Sequence, residues 1–542
     1  MGKNKLKKKT GPRPSTRRQA VYPAFDLDVY VNRYIWLLVP LLVLLYYWFS
    51  TGSTGFYQDD EIGHYRNIRQ FWGDPFSIMG NQPKPGWKIL MVLPGLFGFP
   101  GVVLAHSLVS ALTVLTTYFL CRQLGVRNAS IAAILLAVQP LFLQLSFRSY
   151  SEITAGLFVV LSMLLYYRKN YALAAVACSY IFSIRQEFAL VALGMGAVFL
   201  FRRKWVPFLL LAWTPLTLGI IGWLATGNML WLLDDMRRIG LNVQVPHKPF
   251  WHYFETYIFM VGPVTLALFL VGYWGFLRKP SVWKAAIAEH GFLFFTFTIM
   301  WAWSVFSAWD VPNFGANPGH WRYLLSIAPL TAVYAGKGLN SLMDPEKRAY
   351  NWVVLTLFAL VTLVFLSRES NGLTLTTTRE YGKFMTVVGV MLLYGMSSAL
   401  RALPSSVFAV LLALLALVYT FATEKPRKLD PEAAGMKELA EWYQSQPESF
   451  RHRPLYCNHV LFRYFADIDI NDKERDRPLQ LKTLEQAPAG SVVIWDSHYG
   501  NSQFGGDVPF EYFKDNPNYR YIHDIVSTDR RFQALVFEKT VP

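Results

Sequence analysis

The chain has 542 residues, of which 53% are hydrophobic and only 16% charged, whereas a soluble globular protein carries about 25% charged residues. The apolar residues fall in long runs, which places the chain among polytopic membrane proteins and outside the soluble classes. The formal charge of +16 does not indicate a nucleic-acid partner: nine Lys and Arg lie in the first 33 residues and most others cap apolar runs, as topogenic charge does.

In chain order, residues 1–33 read as a basic cytoplasmic tail held near anionic lipid headgroups. The opening MGKNKLKKKTGPRPSTRRQ lacks the short apolar core and small-residue cleavage site of a signal peptide. A spanning helix needs about 20 apolar residues. That rule predicts thirteen, at 34–50, 99–121, 129–147, 152–167, 171–185, 187–201, 205–225, 256–277, 290–308, 321–339, 350–367, 382–400 and 405–422. With the tail inside, the alternate short gaps (CRQLGVRN, RKN, FRRK, LRKPSVWK, the stretch holding Lys347 and Arg348, and RALPSS) are basic and also belong inside. The remaining gaps hold most of the acids and face outside. Between 171 and 201 a hairpin fits the flanking charges better than one long helix. Its turn, Arg185-Gln186-Glu187, then lies recessed below the outer surface, as a functional pair or a structural ion pair.

Thirteen crossings leave 423–542 outside as a small extracytoplasmic α/β domain. PEAAGMKELAEWYQSQ reads as a helix, and PLYCNHVLFRYF, GSVVIWDS and QALVFEKT as strands. Cys121, Cys178 and Cys457 lie on or beside different segments and suggest neither a disulfide framework nor a zinc site.

Residues suited to chemistry gather on the predicted outer side. In the first outer loop, 51–98, Asp59, Asp60 and Glu61 precede a basic and aromatic run. One acid suffices to cap a helix there, and three are present. If a helix starts at this point, Asp60 and His64 share one face, and a carboxylate beside a histidine can serve as an oriented general base. Lys84 and Lys88 flank Pro85-Gly86-Trp87 at headgroup depth, where they suit a lipid-linked phosphate or ordinary snorkelling. His320, Arg322 and Tyr323 open a late helix, with Arg322 placed against the positive-inside trend and able to grip phosphate. The loop 226–255 adds Asp234, Asp235, Arg237, Arg238, His247, Lys248 and the aromatic run holding Trp251, suited to a sugar ring or to the interfacial belt. His106 and His290 read as structural.

This layout resembles the GT-C superfamily of integral membrane glycosyltransferases, including protein O-mannosyltransferases, GPI mannosyltransferases and aminoarabinose transferases. The matching features are the acidic motif Asp59-Asp60-Glu61 in the first outer loop, the QPKPGWK stretch before the second helix, and the Arg322-Tyr323 pair. PFWHYFETYIFMVGP is similar to the aromatic run of GPI mannosyltransferases. The likeness covers roughly residues 30–340; the apolar runs set the transmembrane domain at 34–422, with its catalytic loop at 51–98. No WWD-type signature of the oligosaccharyltransferase branch is present.

The resemblance implies a polyprenyl-phosphate-sugar donor, a lipid, glycan or protein acceptor, and inversion at the anomeric carbon. Asp60 is the favoured base, with Asp59, Glu61 and His64 beside it. Lys84, Lys88, Arg322 and Arg185 bind the donor phosphate, and Tyr323, His320, Glu187, His247 and Trp251 bind substrate. It implies no required cofactor, although clustered acids suit Mg²⁺ or Mn²⁺. The expected location is a bacterial cytoplasmic membrane, with the N-terminus inside and the C-terminal domain outside. Two other classes fit the composition: a non-catalytic subunit of this architecture that docks partners, and a lipid or sugar transporter.

Overall fold

The structure, a computed structural model, describes residues 27–80, 84–242, 248–277, 283–309, 317–366, 368–369, 372–373, 378–399, 403–500 and 506–541. His247 and most of the basic tail lie outside the described residues.

Every predicted apolar segment is helical, because backbone groups removed from water must pair within their own segment. The lengths differ from expectation. Among the described residues, five helices are long and apolar enough to cross a bilayer: Asp28–Gly52, Pro94–Gln123, Trp205–Thr226, His290–Ala308 and Pro345–Leu366. They make the chain an integral membrane protein. The segment expected at 256–277 is two helices, His252–Val261 and Pro263–Gly275, bent by 118°. Gly262 takes a positive φ of 80° at the corner, and Pro263, which lacks an N–H, cannot continue the first helix. The segment 129–147 breaks for the same reason before Pro140. The hairpin at 171–201 is present: helix Tyr171–Ile184 stops at Arg185, which is extended, and the chain resumes through Gln186–Phe188 into Ala189–Phe201.

The helices Pro263–Leu277 and Ala328–Leu342 cross closely, backbone against backbone. A Cβ at Gly338 would lie 1.9 Å from the Leu268 carbonyl oxygen, and one at Gly272 would lie 2.0 Å from that of Tyr334. Such crossings let membrane helices gain dispersion contacts where no hydrophobic force separates them from lipid.

The C-terminal region folds around a five-stranded mixed sheet. Its strands are β1 Leu455–Cys457, β2 Asp476–Arg477, β3 Val492–Asp496, β4 Tyr519–Val526 and β5 Gln533–Lys539, in the order β2-β1-β3-β5-β4. β1 runs parallel to β2 and β3, while β5 runs antiparallel to β3 and β4. Only the first residues of PLYCNHVLFRYF form a strand; the rest is the helix Val460–Phe465, and β2 and β4 were not expected. Strand alternation sends Leu455, Cys457, Val492, Ile494, Ala534 and Val536 to one face, against Met436 and Leu439 of the helix Pro431–Gln444. Tyr456, Val493, Leu535 and Phe537 face the other side, against Leu484 and Phe513.

The first outer loop carries the helix Asp60–Gln70, wedged between bundle and sheet domain. Ile62 is buried in the sheet domain's core. One turn on, Arg66 pairs with Asp476 at 2.5 Å and donates to the Ile468 carbonyl at 3.0 Å.

Gly338→Val should drive the two backbones apart and cost about 1–3 kcal/mol, read as a lower thermal midpoint in detergent with the helical circular-dichroism spectrum retained at low temperature.

Candidate functional site

The predicted outer loops converge at one end of the bundle. The opposite end is held by Asp28, whose carboxylate accepts from the Ala129 and Ser130 amides and lies 3.6 Å from Arg122. The helix Asp60–Gln70, the stretches 148–152 and 185–187 and the turn at 317–323 therefore share a side of the bundle.

At their centre is Glu152, the first residue of the helix Glu152–Tyr167 and 1% exposed. Its Oε1 accepts from Arg185 Nη1 at 2.7 Å and lies 4.0 Å from Arg322 Nε. Arg185 also donates from Nε to Glu187 Oε1 at 2.5 Å. Arg322, at the start of the Trp321–Ile327 turn, donates from Nη2 to Asp60 Oδ2 at 2.8 Å. Tyr323 lies against both guanidinium groups, with ring centroids 4.7 Å from Arg185 and 5.6 Å from Arg322, and Tyr150 covers Arg322 at 4.6 Å. Such cation–π packing holds an arginine in place without consuming its hydrogen-bond donors. Arg322 Nε, Glu152 Oε2, Ser149 Oγ, Ser151 Oγ and Gln186 Nε2 are buried without a hydrogen-bond partner among the described residues. Buried orphans are few in a folded protein, and a group of them marks functional ground.

Four cationic side chains, Arg185, Arg322, Lys84 and Lys88, thus face three carboxylates, Asp60, Glu152 and Glu187. Lys84 precedes Pro85, the first residue of the helix Pro85–Met91, and takes a left-handed conformation with φ of 59°. This costs a residue with a Cβ on the order of 1–3 kcal/mol, a strain that concentrates at functional sites. Burial pushes the Lys84 ammonium down to about 8, with Arg185 adding to the effect and Glu152 opposing it. Lys88, one turn on, is fully buried and donates to Asn67 Oδ1 at 2.9 Å. Burial holds its ammonium well below the usual lysine range, and Lys84 adds to that.

The three acids of the loop separate into different roles. Asp59 caps the helix by accepting the Asp60 amide at 3.0 Å, and its other oxygen accepts from the Tyr499 hydroxyl of the sheet domain. Glu61 is buried against Arg148 at 2.9 Å and accepts the Tyr57 amide at 3.1 Å. Asp60 alone presents an open carboxylate, 48% exposed. His64 stands edge-on to Trp87, with centroids 5.0 Å apart. Burial first, then Lys88, holds it well below the ordinary histidine range. Arg322 rather than His64 holds Asp60.

His320 stacks edge-on against Tyr323 at 5.6 Å, and burial lowers it to about 4. Trp251 does not join the cluster: it is 54% exposed and packs on Phe250 and Phe254, in the manner of an interfacial belt. Asp234 pairs with Arg237 at 3.8 Å on an exposed helix. His106 accepts from Trp87 Nε1 at 3.1 Å inside the bundle, a packing role. Sequence reasoning missed Glu152, Tyr150 and Tyr499. An acid in a helix's first turn is an ordinary start signal, so Glu152 did not stand out. Its one available clue was its place at the outer end of an apolar run, four residues after Arg148.

The fold matches two crystal structures of ArnT from Cupriavidus metallidurans. The one bound to undecaprenyl phosphate superposes with a TM-score of 0.59 at 12% identity, covering 94% of this chain and 98% of that one. The apo-state structure gives 0.57 at 11% identity with the same coverage. No family model and no curated protein matches the chain. The likeness to these two ArnT structures is one of fold.

Glu152→Gln should leave Arg185 and Arg322 without their shared counter-charge. Removing one partner of a buried ion pair costs about 3–5 kcal/mol, so the thermal midpoint should fall well below that of Asp234→Asn, which alters an exposed pair.

Proposed function

We propose that the protein is an inverting glycosyltransferase that moves a sugar from a polyprenyl-phosphate donor to an acceptor hydroxyl at the outer membrane face. The observation that carries this reading is the pairing of Asp60, the open carboxylate of the acidic triplet, with Arg322, whose Nε makes no hydrogen bond among the described residues. An ArnT of the same fold binds undecaprenyl phosphate, which supports the donor class.

In this reading Asp60 takes the acceptor's hydroxyl proton as its oxygen attacks the anomeric carbon. The bond from that carbon to the donor phosphate oxygen breaks, and the electron pair leaves with the phosphate. The leaving group gains one negative charge in becoming a phosphate monoester. Arg322, Arg185 and Lys84 face that charge from fixed positions, so little reorganisation is needed as it develops. Glu152 keeps the two arginines side by side. Tyr323 and His320 line the sugar side, Glu187 restrains Arg185, and the buried Lys88 holds the loop helix through Asn67. Asp59 and Glu61 act on the loop's shape rather than on the proton. The outer loops and sheet domain face the extracytoplasmic side of a bacterial inner membrane, and the basic gaps face the cytoplasm.

Released polyprenyl phosphate should be measured for protein in lipid supplied with polyprenyl-phosphate hexoses or pentoses and crude membrane acceptor. General-base catalysis contributes about 10²–10⁴-fold, so Asp60→Asn should lose that much while Asp59→Asn loses far less. No release from folded wild type with any donor would sink the reading and favour a docking subunit. Passage of intact donor across the bilayer would favour a transporter.

The Lys84 ammonium is charged below about pH 8 and neutral above it. kcat/KM should therefore fall as pH rises through about 8. Lys84→Arg, whose guanidinium stays charged, should move that fall to higher pH, and an unchanged profile would remove Lys84 from phosphate binding.

A further inference from the structure

Outside the charged cluster, the sheet domain brings together Glu432, His459 and His498, side chains from three separate stretches. Glu432 lies in the first turn of the helix Pro431–Gln444. His459 follows β1 and is fully buried as the cap of Val460–Phe465. His498 follows β3. One carboxylate oxygen, Glu432 Oε1, receives both imidazoles: His498 Nδ1 at 2.6 Å and His459 Nε2 at 3.0 Å. One ligand atom from each of the three lies within 4.8 Å of the other two.

The geometry points to a divalent transition-metal site of the zinc class, formed by Glu432, His459 and His498. Ligand atoms on a tetrahedral zinc at about 2.0–2.1 Å stand about 3.4 Å apart. The two carboxylate–imidazole separations, 2.6 and 3.0 Å, are shorter than that and the third lies within 4.8 Å, so loading needs small adjustments of the three side chains about a common centre. Two imidazoles with one carboxylate select zinc or a neighbouring transition metal; the Mg²⁺ or Mn²⁺ suggested by clustered acids would want an all-oxygen shell. A second observation supports a cation here. Asp496, 1% exposed, closes the turn before His498 by accepting the His498 amide at 3.0 Å and the Tyr499 amide at 2.6 Å through Oδ1, while its buried Oδ2 has no hydrogen-bond partner among the described residues.

Loading replaces protons with the cation. His459 Nδ1 accepts from the Leu461 amide at 3.3 Å, which places the ring proton on Nε2. Binding at Nε2 moves that proton to Nδ1 and gives up this long contact. Three protein ligands leave a fourth position for water. The consequence is mechanical. The His498 ring stacks on Tyr499 with centroids 4.5 Å apart and planes 4° apart, and the Tyr499 hydroxyl donates to Asp59 at the head of the loop helix. A cation on His498 therefore fixes the segment by which the sheet domain holds that helix. This assignment stands whether or not the protein transfers sugar.

The test uses the full chain without a histidine tag, stripped with chelator in detergent and titrated with zinc alone. Bound metal is read by inductively coupled plasma mass spectrometry and the thermal midpoint is followed in parallel. Wild type should hold about one zinc per chain with a dissociation constant in the micromolar range or below, and its midpoint should rise with zinc. His498→Ala and Glu432→Gln alter partly exposed side chains, so they should fold. Each should weaken binding by at least ~100-fold and lose the midpoint rise. The assignment is overturned if wild type retains less than about a tenth of an equivalent, if both variants bind as wild type does, or if Mg²⁺ displaces zinc at comparable concentration.

Discussion

One buried carboxylate holds two guanidinium groups at one end of the bundle. Arg185 and Arg322 come from distant helices, and each would be expelled from this depth if it stood alone, since an uncompensated buried charge costs several kcal/mol. Glu152 lets both remain. Its Oε1 is directed at Arg185 and stands farther from Arg322, so Arg322 keeps the capacity to reach Asp60 and to meet another anion. Tyr323 and Tyr150 cover the guanidinium faces and leave the donor edges free. The remaining features of this end of the molecule follow from keeping that charge arrangement dry but reachable. They include the broken hairpin at Arg185, the strained Lys84 and the buried Lys88.

The helix Asp60–Gln70 transmits this arrangement between the core of the bundle and the core of the sheet domain. Helical spacing divides its residues between opposing surfaces. Asp60, His64 and Asn67 meet Arg322, Trp87 and Lys88 of the membrane part. Ile62 and Arg66 enter the sheet domain, and Asp59 at the helix head is gripped by Tyr499. A displacement of the sheet domain would therefore move Asp60 relative to Arg322. In the proposed reaction the C-terminal domain is part of the machinery that sets the base, and not an appendage to it.

Much of this was legible in the sequence. Each of the thirteen apolar runs proved helical, because the requirement to bury about 20 residues leaves a strong local signal. Alternating basic gaps grouped Asp60, Lys84, Arg185 and Arg322 on one side before any contact was known. The acidic triplet was recognised, but its division of labour was not. Asp59, Glu61 and Asp60 are consecutive and chemically alike, and only their partners Tyr499, Arg148 and Arg322 distinguish them. The lengths of the helices also escaped. A proline within an apolar run can be absorbed or can turn the chain by 118°, as at Gly262-Pro263, and packing decides which.

By itself the sequence determined the membrane class, the positions of the apolar helical segments and most of the strands of the terminal domain, because each rests on local composition or short-range periodicity. Only the tertiary structure decided that Glu152 is the shared counter-ion, that Trp251 turns outward, that Asp60 is the open carboxylate, and that Glu432, His459 and His498 meet. Those outcomes depend on side chains far apart in the chain choosing one another. The choice is made by the cost of burying a charge without a partner, a cost with no period or motif in the sequence.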